Sequence, residues 1–201
     1  MPDYHDDLRL AHVLADVADA ATMERFKAID LKVDTKPDMT PVTEADKAAE
    51  ELIRSTLQRA RPRDAVLGEE FGSRGQGPRR WVIDPIDGTK NYVRGVPVWA
   101  TLIALLVQGP GGDQGVVGLV SAPALGRRWW ASLGSGAYTG RSLSSATRLH
   151  VSGVRRIEDA SFAYSSLSGW EKQGRLDGFL DLTRACWRTR GDGDFWPYMM
   201  V

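Results

Sequence analysis

The strongest signal for fold and chemistry in this sequence is Trp81-Val-Ile-Asp84-Pro-Ile-Asp87-Gly-Thr-Lys-Asn91. The apolar run over 81–83 predicts a short strand that delivers Asp84 at its C-terminal end. Pro85 is expected to break the strand ladder and force a turn, so that the carboxylates of Asp84 and Asp87 point at one spot. Two like charges need a cation between them, and hard oxygen ligands favour Mg²⁺ over zinc.

Gly88 and Thr89 come next, where the chain is expected to enter a helix or a turn. Backbone N–H groups at such a point have no partner within the helix, and they favour a phosphate group. The sequence therefore predicts a carboxylate pair beside an anion-binding corner.

Two further acidic stretches lie upstream, Leu67-Gly68-Glu69-Glu70-Phe71 and Pro41-Val-Thr43-Glu44-Ala-Asp46. Taken alone, the first is typical of a solvated loop after a short strand. The second is typical of a helix N-terminus, where Thr43 caps the helix and Asp46 stabilises its dipole. Neither stretch alone requires a functional site.

Together, the three stretches resemble the inositol monophosphatase family of Mg²⁺-dependent phosphatases, over essentially the whole chain. The segments 90–105 and 190–196 are more similar to the histidinol-phosphatase branch than to true inositol phosphatases. The resemblance implies an α+β fold, a layered αβαβα sandwich whose C-terminal α/β part is incomplete. It implies hydrolysis of L-histidinol phosphate. Hydrolysis of inositol 1-phosphate or a related sugar-alcohol phosphate stays open, as does a non-catalytic fragment that only binds metal.

The resemblance also implies roles for individual residues. Two or three Mg²⁺ ions would be held by Glu69, Asp84, the Ile86 carbonyl oxygen and Asp87, and no other cofactor is implied. The catalytic residues would be Asp46, Glu69 and Thr89, with Asp46 and Thr89 orienting the attacking water. The substrate-binding residues would be Asp87, Gly88, Thr89, Arg190 and Asp192.

One element of the family pattern is absent from these 201 residues. The family supplies a further metal-binding aspartate from a Trp-Asp pair, and this sequence contains no Trp-Asp dipeptide. The sequence thus suggests a truncated chain, and we expect little or no activity from the 201 residues alone. The resemblance implies a homodimer.

Composition excludes several classes of protein. Lys plus Arg and Asp plus Glu each number 26, so bulk charge does not favour nucleic-acid binding. The apolar run over 102–107 is far shorter than the roughly 20 residues of a membrane span. The single cysteine, Cys186, fits a reducing compartment, and a cytoplasmic location is expected. The three scattered histidines are expected at the surface or at helix caps.

Periodicity predicts the order of the elements. Two amphipathic helices, over 5–28 and from Thr43 to Pro62, are separated by a polar connection over 30–42. The second helix is expected to bury Ala45, Ala48, Ala49, Leu52, Ile53 and Leu57. An antiparallel meander is expected to follow, and 72–79 is expected to be a mobile loop. The predicted later elements are strands at 65–67, 81–83, 98–107, 115–121, 128–132, 160–164 and 186–190, and a helix at 174–185.

We expect two domains. The first, residues 1–145, would contain the helix pair and the antiparallel sheet with the metal and phosphate site. The second, residues 146–201, would be a partial α/β domain.

Overall fold

A computed structural model describes residues 3–37 and 39–201. These fall into two units that divide between Leu149 and His150. Asp38, which belongs to the connection expected over 30–42, lies outside the described residues.

Two helices form as the periodicity predicts. Helix α1 (His5–Arg25) ends three residues before the expected boundary, and α2 (Glu44–Ala60) ends just before Pro62. A capping box starts α2: the Thr43 hydroxyl accepts from the Asp46 N–H, and the Asp46 carboxylate accepts from the Thr43 N–H. The predicted cap at Thr43 is confirmed.

The polar connection between the helices is more ordered than expected. It contains a short antiparallel hairpin of β1 (Val33–Thr35) and β2 (Pro41–Thr43). The side chain of Lys47 on α2 contacts Asp34 at 3.2 Å, so the hairpin is tied to the helix.

The buried face of α2 differs from the expected one. Ala48 and Leu52 are exposed, whereas Asp46 and Glu50 are buried. Burial of a carboxylate is tolerable only when hydrogen bonds satisfy it, and both of these carboxylates accept backbone N–H groups. The expectation based on hydrophobicity was therefore wrong at two of its six positions.

The remaining elements of the first unit belong mainly to one sheet. They are β3 (Ala65–Gly68), β4 (Gly72–Arg74), β5 (Arg79–Asp87), α3 (Thr89–Val93), β6 (Ala100–Gly109), β7 (Gly112–Ala122), a 3₁₀ turn at Pro123–Leu125, β8 (Arg127–Ser132), β9 (Gly136–Gly140), a 3₁₀ turn at Leu143–Ser145 and β10 (Thr147–Leu149).

Within the described residues the sheet has the strand order β10-β9-β8-β7-β6-β5-β3-β4. All neighbours are antiparallel except β3 and β5, which are parallel. The predicted antiparallel meander is thus confirmed from β5 to β8. The expected loop over 72–79 is wrong at both ends, because Gly72–Arg74 pairs with β3 as β4 and Arg79 begins β5.

Helices α1 and α2 pack against the sheet and against each other, and they enclose the main core. The apolar residues buried there include Leu14 of α1, Ile53 of α2, Trp81 and Ile83 of β5, and Ile103 of β6. Because residues of β5 and α2 pack in the same core, the core fixes the position of β5 relative to α2. It therefore also positions Asp46 at the start of α2 and Asp84 and Asp87 at the end of β5.

A second, smaller apolar cluster lies beside the acidic stretches. Ala45, Ile86, Tyr92 and Trp99 are buried in it, and Phe26 packs against them. Ala45 precedes Asp46 and Ile86 precedes Asp87, so the cluster holds the backbone next to both aspartates. The Tyr92 hydroxyl donates to the Thr22 carbonyl oxygen at 2.6 Å, which ties α3 to α1.

The second unit contains a parallel pair of strands, β11 (Ser161–Ala163) and β12 (Arg188–Arg190). Its other elements are a 3₁₀ turn at Ile157–Asp159, α4 (Leu167–Lys172), α5 (Leu176–Ala185) and α6 (Trp196–Met199). Phe179 of α5 is buried, with Phe162, Tyr164 and Trp170 around it. The predicted strands and helix of this region are confirmed, and α4 was not predicted.

His12 contradicts the expectation that the histidines lie at the surface. Only 7% of it is exposed, and its ring meets Trp130 edge-on at 4.8 Å. Burial, followed by the nearby Arg128 charge, lowers the pKa of His12 to about 4, while Asp16 acts in the opposite direction. Between about pH 6.5 and pH 4, the His12 imidazole is therefore neutral in the folded protein, whereas the imidazole of the unfolded chain binds a proton.

We predict that His12→Phe reduces the loss of stability on acidification. The wild-type chain loses the contribution of neutral His12 as the pH falls from 6.5 to 4, by at most about 3 kcal/mol. Phe keeps the edge-on contact and has no proton to bind. Thermal unfolding between pH 7 and pH 4.5 measures the difference. His5→Phe, at an exposed position, is the control. Equal acid sensitivity of the wild type and His12→Phe would contradict the prediction.

Candidate functional site

A β-bulge in β5 aims Asp84 and Asp87 to the same side. Asp84 lies opposite Leu102 of β6, and Asp87 lies opposite Ala100, so three steps along β5 match two steps along β6. Residues three apart in a regular strand face opposite ways, and one extra residue brings them to the same face. The expectation that Pro85 interrupts the strand ladder is confirmed, since pairing with β6 skips residues 85 and 86. The expectation that Pro85 forces a turn is wrong: the strand continues to Asp87, and the two carboxylates converge because it bulges.

Hydrogen bonds fix the shape of the bulge. The Ile86 N–H donates to Asp84 Oδ1 at 3.1 Å, and the Thr101 hydroxyl donates to the Pro85 carbonyl oxygen at 2.8 Å. The Thr89 hydroxyl donates to the Ile86 carbonyl oxygen at 3.0 Å. Ile86 and Thr89, both predicted site residues, are thus in direct contact.

Gly88 connects the bulge to α3. Its φ of 90° lies in the left-handed region, which a residue with a Cβ rarely adopts. This sharp change of direction lets α3 begin at Thr89, immediately after the two aspartates. Gly88 and Thr89 therefore lie where the sequence predicted a turn into a helix.

Asp46 reaches the same region from the first turn of α2. Its Oδ2 accepts from the Thr43 N–H at 2.8 Å and from the Thr43 hydroxyl at 2.6 Å. Its Oδ1 is buried and has no hydrogen-bond partner among the described residues. Burial raises the pKa of Asp46 to about 6; the bonds from Thr43 oppose this, and the charges of Glu70 and Glu69 add to it. The capping role expected from the sequence and a functional role are compatible, because each uses a different oxygen.

Glu69 and Glu70 lie in the turn between β3 and β4 and share one cation. Lys36 Nζ is 2.7 Å from Glu69 Oε1 and 2.7 Å from Glu70 Oε1. These two carboxylates raise the pKa of Lys36 above its usual value against the opposing effect of burial. The ammonium group thus provides positive charge at a place where the sequence predicted a metal ion.

Asp84 lies among several other carboxylates. Burial raises its pKa far above the ordinary value; the charge of Glu69, a hydrogen bond with Glu69 and the charges of Asp87 and Asp46 raise it further. Carboxylates from α2, the β3–β4 turn and β5 therefore act on one another. Such mutual repulsion is typical of functional sites.

The donor set suits a divalent cation, although the side chains are not arranged around one. Within residues 3–37 and 39–201, no group of three or more His, Cys, Asp or Glu side chains has a geometry that would hold a metal ion. Oxygen donors, excess negative charge and the unpartnered Oδ1 of Asp46 nevertheless match the preference of hard cations. The residues fit a metal ion chemically, while Glu69 is paired with the ammonium group of Lys36.

Arg190 and Asp192, the predicted substrate-binding residues, belong to the second unit. Arg190 ends β12, is exposed, and donates from Nη1 to the Thr189 carbonyl oxygen at 2.8 Å. Asp192 follows it outside any helix or strand and is partly exposed. Their roles stay predictions.

Lys36 and Glu50 were not identified from the sequence as parts of this site. Lys36 lies in a polar connection, and no spacing rule relates it to Glu69. Glu50 lies on a helix face where the pattern predicted only apolar burial. The one signal for Glu50 was a carboxylate one helical turn after Asp46.

The sequence profile of the inositol monophosphatase family matches residues 3–194. This chain belongs to the inositol monophosphatase family. It is 81% identical over 201 residues to the histidinol-phosphatase of Streptomyces coelicolor, covering 100% of this chain and 76% of that protein. It is 56% identical to the histidinol-phosphatase of Mycobacterium tuberculosis, over 98% of this chain and 75% of that protein.

Two solved structures share the fold. The inositol monophosphatase of Zymomonas mobilis matches with a TM-score of 0.82 at 33% identity, over 100% of this chain and 74% of that chain. The extragenic suppressor protein suhB of Bartonella henselae matches with a TM-score of 0.79 at 28% identity, over 92% of this chain and 69% of that chain. The α+β fold class is confirmed, and members of this family are metal-dependent phosphatases.

None of the helices in the described part of the chain combines the length and the apolar character needed to cross a bilayer.

We predict that Lys36→Met strengthens the binding of divalent cations. The substitution removes an ammonium group 2.7 Å from Glu69 and so removes competition for its carboxylate. We expect Mg²⁺ to bind about three- to tenfold more tightly, the scale of a partly exposed ion pair. Isothermal titration calorimetry measures the change.

Lys47→Met is the matched control, because Lys47 pairs with Asp34, outside the carboxylate group. Unchanged or weaker Mg²⁺ binding in Lys36→Met would refute the competition.

Proposed function

We propose that this protein is a Mg²⁺-dependent histidinol-phosphatase, which converts L-histidinol phosphate and water to L-histidinol and phosphate. The observation that carries the proposal is the 81% identity, over the whole of this chain, to a histidinol-phosphatase. The mutual repulsion of Glu69, Asp84, Asp87 and Asp46 supports the proposal. A site with this much negative charge can bind an anionic phosphate monoester only when cations neutralise the carboxylates.

Two or three Mg²⁺ ions would be held by the oxygen donors of Glu69, Asp84, Asp87 and the Ile86 carbonyl group. When bound, they supply Lewis acidity and lower the pKa of the attacking water. The number of ions is part of the proposal. The Ile86 carbonyl oxygen accepts from Thr89, so its availability depends on the orientation of that hydroxyl group.

The other residues position the reactants. Asp46 orients the attacking water through its unpartnered Oδ1, and Thr89 assists through its hydroxyl group. With a pKa of about 6, Asp46 is mostly ionised at neutral pH and can accept a hydrogen bond from that water. The backbone N–H groups of Gly88 and Thr89 bind phosphate oxygens. Water attacks phosphorus in line with the leaving oxygen, and no enzyme side chain forms a covalent intermediate.

The alcohol part of the substrate carries cationic groups. The amino and imidazole groups of L-histidinol phosphate match a carboxylate such as Asp192, and Arg190 matches the phosphate. Both assignments come from the resemblance in the segment 190–196. The homodimer and the cytoplasmic location also stay predictions.

Inositol 1-phosphate is the alternative substrate. The 33% identity to the inositol monophosphatase of Zymomonas mobilis favours it. The proposed role of the carboxylates concerns the metal ions and the phosphate group, so these residues do not distinguish the two substrates. A non-catalytic chain that binds metal is the other alternative, and the pairing of Glu69 with the Lys36 ammonium group favours it.

Phosphate release separates these possibilities. We expect the product of the whole reading frame containing these residues to hydrolyse L-histidinol phosphate with a kcat/KM at least about tenfold above that for inositol 1-phosphate, a modest degree of discrimination. Excess EDTA should abolish the activity. Asp84→Asn should lower it at least about 1000-fold, because it removes a charged ligand from the reacting centre.

A higher kcat/KM for inositol 1-phosphate than for L-histidinol phosphate would contradict the proposed substrate. Activity that persists in excess EDTA would contradict the proposed dependence on Mg²⁺. Metal binding without turnover of either substrate would favour the non-catalytic alternative. The 201-residue chain assayed in parallel tests the expectation that it has little activity alone.

A further inference from the structure

Glu50 is a fully buried carboxylate that the proposed chemistry does not use. It lies on α2, one helical turn after Asp46, and its side chain is 0% exposed. The cost of burying a charge requires close partners, and Glu50 has them. Those partners lead directly to the turn that carries Glu69 and Glu70.

The Glu50 carboxylate accepts hydrogen bonds from two consecutive backbone N–H groups. Oε2 accepts from the Glu70 N–H at 2.7 Å, and Oε1 accepts from the Phe71 N–H at 3.2 Å. Arg54, one helical turn further along α2, donates from Nε to Oε1 at 2.6 Å. Arg54 thus fixes the Glu50 carboxylate from α2, and the carboxylate in turn binds the backbone of the β3–β4 turn.

The neighbouring groups complete the anchoring of this turn. The Glu69 N–H donates to the Ile83 carbonyl oxygen of β5 at 3.1 Å. Arg54 also donates from Nη2 to the Gly72 carbonyl oxygen. The backbone from Glu69 to Gly72 is therefore tied at four successive residues, and two of these ties end on Glu50.

Gly68 provides the space that Glu50 occupies. A Cβ atom added at Gly68 would overlap the Glu50 carboxylate, and both of its oxygens would be among the atoms in conflict. The φ of Gly68 is not in the left-handed region, so conformational freedom does not explain the glycine. Its lack of a side chain is what lets Glu50 reach the turn.

We propose that Glu50 is a positioning residue that presents the Glu69 carboxylate to Asp84. The proposal rests on the assignment of Glu69 as a metal ligand under the proposed function. An ion pair between Glu50 and Arg54 alone would stabilise α2 without touching the turn. The two backbone hydrogen bonds from residues 70 and 71 are what connect Glu50 to the position of Glu69.

The test compares Glu50→Gln with Asp7→Asn in the full chain. Asp7 is also buried and also paired with arginines, Arg61 at 3.2 Å and Arg79 at 2.8 Å, but it contacts no residue of the 69–72 turn in these pairs. Both substitutions remove one charge from a buried ion pair. Loss of thermal stability is expected from both, so it does not distinguish a positioning role from a structural one.

Two other readouts do distinguish them. We expect Glu50→Gln to weaken Mg²⁺ binding at least tenfold in calorimetry, and to speed hydrogen exchange at the amides of Glu70 and Phe71 at least tenfold. Asp7→Asn should leave both within twofold of the wild type. Glu69→Gln is the reference for loss of the ligand itself.

A second pair of variants approaches the same contact from the other side. Gly68→Ala should weaken Mg²⁺ binding, because the added methyl group displaces the Glu50 carboxylate. Gly118→Ala is its control, because a Cβ at Gly118 in β7 meets no atom within 4 Å. If Glu50→Gln and Gly68→Ala keep wild-type Mg²⁺ affinity while Glu69→Gln loses it, Glu50 is only structural. If Glu69→Gln also keeps the affinity, the ligand assignment fails and the inference fails with it.

Discussion

Repulsion among carboxylates is the constraint around which the first unit is organised. Asp84 is partly buried close to the charges of Glu69, Asp87 and Asp46, an arrangement that opposes folding unless protons or cations neutralise it. The main core and the smaller cluster around Tyr92 hold the backbone in place against this repulsion. Native structures usually tolerate such a conflict only where function requires it.

Other acidic residues of the first unit are paired with arginine side chains. Asp64 accepts from Trp81 Nε1 at 2.9 Å and from Arg79 Nε at 3.1 Å, and Arg79 also contacts Asp7. Here each buried carboxylate has a nearby cation from the chain itself. In the acidic group that includes Asp84, Lys36 contacts Glu69 and Glu70.

Glu50 connects these two kinds of acidic residue. Its charge is compensated by Arg54, as in a structural ion pair, yet its oxygens also fix the turn that carries Glu69. The Gly-Glu-Glu motif therefore has a physical explanation beyond its chemistry. Gly68 makes room for Glu50, Glu69 faces the other acids, and the Glu70 backbone N–H is the point of attachment.

The family, the helix pair, the antiparallel meander and the three acidic stretches could be predicted from the amino-acid sequence, because periodicity, capping at Thr43 and the spacing from Asp84 to Asp87 are local properties. The folded structure was needed to show that a bulge, and not a turn at Pro85, makes the two aspartates converge. It also decided that Glu50 is buried and that Lys36 meets Glu69. These contacts join residues that are distant in the chain. A pattern of hydrophobic residues predicts that a glutamate is exposed, but hydrogen bonds formed in the folded state allow Glu50 to be buried.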